Sequence, residues 1–72
     1  MDAIDQICRR IIKVLEATED ACRQAIEAQL PVLPDDERLQ EIQALGALLD
    51  KAKSHCDQAE VAMLKYIRSQ SE

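Results

Sequence analysis

The chain reads as an all-α protein, an antiparallel two-helix hairpin of coiled-coil type, and three observations carry that reading. Apolar residues recur at intervals of three and four, with no strand-like alternation. One Gly and two Pro in 72 residues leave few places to turn. Hydrophobic residues make up 47% of the chain and aromatics only 1%, so the core is built from Ile, Leu, Val, Ala, Cys and Met, which lets helices approach closely. A single domain spanning residues 1–72 buries too little surface to be more than marginally stable by itself. The hairpin is therefore expected to be completed to a bundle, by dimerisation or by a partner helix.

The first helix is expected over residues 2–29. Ile4, Ile7, Ile11, Val14, Thr18, Ala21, Ala25 and Ala28 form one seam of a left-handed helix pairing. Cys8, Ile12, Leu15, Cys22 and Ile26 run beside it and widen the apolar arc to roughly 160°, more than a two-stranded seam needs. The turn falls at residues 30–34, where Pro31 pushes Leu30 out of the α region and Pro34 lacks a backbone donor. The second helix follows over residues 35–69, with Asp35 as N-cap and Asp36 and Glu37 at the positive end of the dipole. Arg38 stands where a capping box wants Glu, which leaves that cap partial.

In the second helix Ile42, Leu45, Leu49, Ala52, Cys56, Ala59, Met63 and Tyr66 repeat the seam pattern, flanked by Leu39, Leu48, Ala62 and Ile67. An antiparallel register then sets Ile4 near Ile67, Cys8 near Met63, Leu15 near Cys56 and Cys22 near Leu49. Gly46 falls opposite Ala25, where it either permits close backbone approach or is a tolerated surface residue. Tyr66, the single aromatic, reads as a lid over Ile4 or as a binding anchor.

The net charge of −5 weighs against nucleic acid, which needs a basic face to release counterions. Residues 16–57 carry 10 acidic and 4 basic side chains, while the terminal arms carry 4 acidic and 5 basic, so the loop end is the acidic end. Arg9, Arg10, Lys13, Lys65 and Arg68 gather on the arms. No apolar run is long enough to span a bilayer, and the acidic start Met1-Asp2-Ala3-Ile4-Asp5 is unlike a basic secretory leader. Three widely spaced cysteines without a Cys-x-x-Cys pair fit reduced thiols acting as small hydrophobes in a cytoplasmic protein.

Neither a metal, a cofactor nor a small-molecule substrate is expected. His55 and Cys56 are adjacent, and neighbours on a helix point about 100° apart, too far to grip one ion. His55 reads as a residue at the rim. A thin hairpin encloses no pocket for a nucleophile, base and oxyanion donors, so the chain reads as a non-enzyme with no catalytic residues.

The wide arc points instead to a protein interface, formed by Cys8, Ile12, Leu15, Cys22 and Ile26 with Leu48 and Tyr66. Its occupant is another helical protein or a second copy of the chain. The whole-chain plan of helix, short proline turn and second helix resembles the small acidic co-chaperones of type III secretion needle proteins, the YscE-like family. That resemblance implies a cytoplasmic adaptor that holds a secretion subunit unpolymerised together with a larger helical-repeat chaperone. It carries over no individual residue, and the three cysteines depart from the family pattern. The alternative resemblance is to Rop-like hairpins, homodimeric four-helix-bundle regulators that bind RNA through a basic face, or to helical regulators that mask a transcription factor.

Overall fold

The computed structural model describes residues 2–71 as two helices, α1 (Ala3–Ala28) and α2 (Asp35–Gln70), packed antiparallel into a rod of 58 × 15 × 13 Å. Asp2 starts α1: its backbone is extended and its carboxylate accepts from the Ile4 N–H at 3.2 Å, satisfying one donor that the first turn leaves free. At the other end the Gln29 N–H donates to the Ile26 carbonyl and the Leu30 N–H to the Glu27 carbonyl, each at 3.2 Å. These tighter bonds close the helix without a left-handed residue.

The N-cap expected at Asp35 belongs to Pro34, and no side chain caps α2. Proline's fixed φ already holds the extended entry geometry, and Asp35 moves inside the first turn with Asp36 and Glu37. Arg38, misplaced for a capping box, performs a different task. Its guanidinium donates to the Ala28 carbonyl and to the Leu30 carbonyl, both at 3.0 Å. A cation from the first turn of α2 thereby caps the negative end of α1 and fastens the turn.

The seam keeps the expected α1 positions apart from Ile11 and differs from the expected one on α2 by a rotation of that helix. In α1 the covered positions are Ile4, Ile7, Val14, Ala17, Thr18, Asp20, Ala21, Gln24, Ala25 and Ala28, with Arg10 bridging to Gln58. In α2 they follow an unbroken three-four rhythm through Arg38, Glu41, Leu45, Leu48, Ala52, His55, Ala59, Ala62 and Tyr66. Ile11, Ile42, Leu49, Cys56 and Met63, expected inside, are exposed. Relative to the expected seam α2 has turned by about 50°, half of one residue's step, while α1 covers the expected positions together with Ala17 and Gln24.

Two features account for the rotation. Buried residues among those described are Ile7, Ala17, Ala21, Ala52 and Ala59, so methyl groups set the spacing and the backbones come close. The rotated seam also carries matched polar pairs, Arg10 donating to the Gln58 amide oxygen and the Gln24 amide donating to Glu41. The expected facing pairs Cys8 with Met63, Leu15 with Cys56 and Cys22 with Leu49 do not meet across the seam, since all six residues are exposed. A Cβ placed on Gly46 meets nothing within 4 Å, so no approach of α1 requires that glycine. His55 lies in the seam rather than at its rim, with Nδ1 enclosed and unpartnered among the described residues.

Candidate protein interface

Rotation into the alanine seam sends the larger apolar side chains outward. On α1 the stripe holds Ile11, Ile12, Leu15 and Ile26, with Cys8 and Cys22 between them. On α2 it holds Leu39, Ile42, Leu49, Met63 and Ile67, with Cys56. These nine large residues are between 38% and 64% exposed. In both helices the stripe begins one residue after a seam position, as 8, 15 and 22 follow 7, 14 and 21, and 42, 49 and 56 follow 41, 48 and 55. Equal offsets turn in opposite directions on antiparallel helices, so the two stripes come out on the same side of the rod.

The hairpin is therefore two-faced. One face is aliphatic and contains all three cysteine positions. The other carries Arg9, Arg10, Lys13, Glu16, Asp20 and Arg23 from α1 and Lys51, Gln58, Lys65 and Arg68 from α2. Arg10 and Lys65 border the same shallow cleft with Asp57, Gln58, Val61 and Ala62. The small basic group of the arms thus lies opposite the aliphatic stripe, and hairpins joined through that stripe hold their basic groups on opposite outer surfaces. Charged residues interrupt the aliphatic face, Asp5 and Glu19 in line with Ile12 and Ile26 on α1 and Lys53 and Glu60 on α2, and the Lys53 ammonium is 3.3 Å from the Asp57 carboxylate. Asp20 and Arg23 form the other ion pair among the described residues, on the polar side.

Of the seven residues expected to form an interface, Cys8, Ile12, Leu15, Cys22 and Ile26 all lie on the outward face. Leu48 and Tyr66 are half-buried in the seam instead. Tyr66 borders a cleft with Ala3, Gln6, Ile7 and Ser69, and the Ser69 hydroxyl donates to its carbonyl at 2.8 Å. The α2 half of the face, from Leu39 to Ile67, escaped sequence reasoning because its residues fit an inner seam equally well by spacing. The signal that separates the two was the unbroken rhythm from Arg38 to Tyr66, whose polar members hide it from a search for apolar periodicity.

An exposed aliphatic face of this extent is a poor surface for water and a good one for a helix, because rows of Ile and Leu at heptad spacing accept knobs from a facing chain. Among the described residues no group of three or more His, Cys, Asp and Glu is placed to hold a metal ion. No described helix is long and apolar enough to cross a membrane. Comparison with family models, with curated proteins and with solved structures yields no match, so the chemistry of this face alone carries the functional reading.

Proposed function

We propose that this chain is a cytoplasmic protein-binding adaptor of the chaperone kind, which covers the apolar helical surface of a partner with its outward aliphatic face. The observation that carries the reading is the one-sidedness of the hairpin: Ile7 and four alanines are buried in the seam, while Ile11, Ile12, Leu15, Ile26, Leu39, Ile42, Leu49, Met63 and Ile67 are left outside on one face. A role as secretion co-chaperone, in the manner of the YscE-like proteins, is the form of this reading that fits the helix-turn-helix plan and the acidic loop end. The partner on this account is a helix that is itself amphipathic, buried in the groove between α1 and α2 through anchors at heptad spacing.

The test uses a designed Leu-rich amphipathic peptide that is unstructured alone. Mixed with the wild-type chain it gains helix by circular dichroism, and mixed with the Leu15→Asp variant it does not, while the variant keeps its own helical content. A variant that binds the peptide undiminished would remove the face from the function. Loss of the variant's own helix would make Leu15 part of the hairpin's core.

A further inference from the structure

The charges that border the outward face select its occupant. Asp5 and Glu19 stand in one line with Ile12 and Ile26 on α1, and Glu60 stands between Lys53 and Ile67 on α2, all of them exposed. Among the described residues none of these three carboxylates has an ion-pair partner, whereas Lys53 is paired with Asp57. The free charge of the face is therefore negative. Of the nine Lys and Arg residues of the chain, four on α1 and three on α2 lie on the polar side and Arg38 is engaged at the turn, so Lys53 is the one cation on the aliphatic face. An incoming chain meets unpaired carboxylates on both helices.

From this distribution we infer that the occupant is an amphipathic helix of a different protein, with Lys and Arg flanking its apolar stripe. The inference rests on the proposed use of the same face for binding and names the chemistry of the partner. A helix laid into the groove brings its flanking side chains beside those that border the face, where opposite charges favour the complex and like charges oppose it. A helix with acidic flanks sets carboxylate against carboxylate. A second copy of the chain does the same, because its face offers the same three acids and no free cation. The bonds from Arg10 to Gln58 and from Gln24 to Glu41 fix the register, which puts Asp5 and Glu60 near the open end of the hairpin and Glu19 closer to the loop. Asp5 and Glu19 are about 21 Å apart along α1, so the partner's cations are spread along its length instead of gathered at one end.

Two designed peptides that share one Leu stripe test this, one with Lys and one with Glu at the flanking positions, each titrated against the full-length reduced chain by fluorescence anisotropy. Exposed ion pairs are each worth a factor of about 1.5 to 5, so three are expected to make the Lys peptide bind roughly tenfold more tightly than the Glu peptide at low salt. The preference is expected to narrow as salt is raised to about 0.5 M. A net charge of −5 attracts any basic peptide, so two variants of equal charge separate the face from general attraction. Glu19→Gln with Glu60→Gln removes two carboxylates from the face and is expected to reduce the preference about fivefold. Glu16→Gln with Glu27→Gln removes two exposed carboxylates from the polar side and is expected to change it by less than about twofold. Gln matches Glu closely in helix propensity, so both variants keep the hairpin.

Equal binding of the two peptides, tighter binding of the Glu peptide, or equal losses in the two variants overturns the basic partner and leaves the adaptor reading in place. Failure of both peptides to bind overturns the two together. A wild-type chain that sediments as a helical dimer which the Lys peptide does not dissociate assigns the face to a second copy and overturns the inference.

Discussion

Replacing Arg38 with Ala removes a side chain that ties the end of α1 to the start of α2 at the turn. The guanidinium makes two bonds at 3.0 Å, one to the Ala28 carbonyl in half-buried surroundings and one to the exposed Leu30 carbonyl. Water takes over at Leu30, so that bond contributes little to the difference. The Ala28 bond has a charged donor and a carbonyl that water reaches poorly, which is worth about 1.5 kcal/mol. The positive charge at the negative end of α1 adds roughly 0.5 kcal/mol. The expected loss is about 2 kcal/mol, or about 8–15 °C in melting temperature for a domain of this size.

Arg38→Lys separates the two contributions, because it keeps the charge and loses the fork that reaches both carbonyls. It is expected to recover less than half of the loss. Urea unfolding followed by circular dichroism measures both variants, at one fixed chain concentration because association adds to apparent stability. An Ala variant within about 0.5 kcal/mol of wild type, or a Lys variant equal to it, would refute the cap.

Ala17 is 3% exposed and faces α2, so Ala17→Leu forces extra carbons into a contact spaced by methyl groups. A loss of about 1–3 kcal/mol in thermal or urea unfolding is expected, and an unchanged stability would mean the seam is looser than described. Gly46→Ala should raise stability by about 1 kcal/mol, since the new Cβ meets nothing in the hairpin and the helix gains propensity. A less stable Ala variant at concentrations below association would contradict those open surroundings.

The hairpin itself was legible in the sequence because its punctuation is sparse and strong: two prolines within four residues, carboxylates just after them, and three-four spacing on either side. Helix ends agreed to within a residue, with Ala3–Ala28 and Asp35–Gln70 against 2–29 and 35–69. The α1 seam was legible apart from Ile11, and the rotation of α2 was not. Hydrophobicity ranks Ile11 above Ala17 and Ile42 above His55 for a place inside, and a tally of apolar spacing follows that rank. Packing follows a different preference, because small side chains let two backbones approach, and the polar pairs Arg10 with Gln58 and Gln24 with Glu41 close only on that side.

The same consideration explains why the outward face was only half foreseen. On α1 the apolar arc is too wide for one neighbour, so the surplus stripe of Cys8, Ile12, Leu15, Cys22 and Ile26 was visible as surplus. On α2 the outward and inward stripes share the register Leu45, Ala52, Ala59 and Tyr66, and only the neighbours of that register decide which stripe turns in. Arg38 shows the opposite lesson. Judged as a failed capping-box residue of α2 it looked like a defect, and its role appears only when the end of α1 is beside it.

Sedimentation equilibrium of the reduced wild-type chain and of Leu15→Asp, each mixed with the designed amphipathic peptide, with circular dichroism on the same samples, tests the central claim most directly. The account predicts a complex of the wild-type chain with the peptide that gains helix, and a Leu15→Asp chain that stays helical and sediments free of the peptide. A helical wild-type chain that leaves the peptide unbound, or a Leu15→Asp chain that binds it as tightly as wild type, would contradict it.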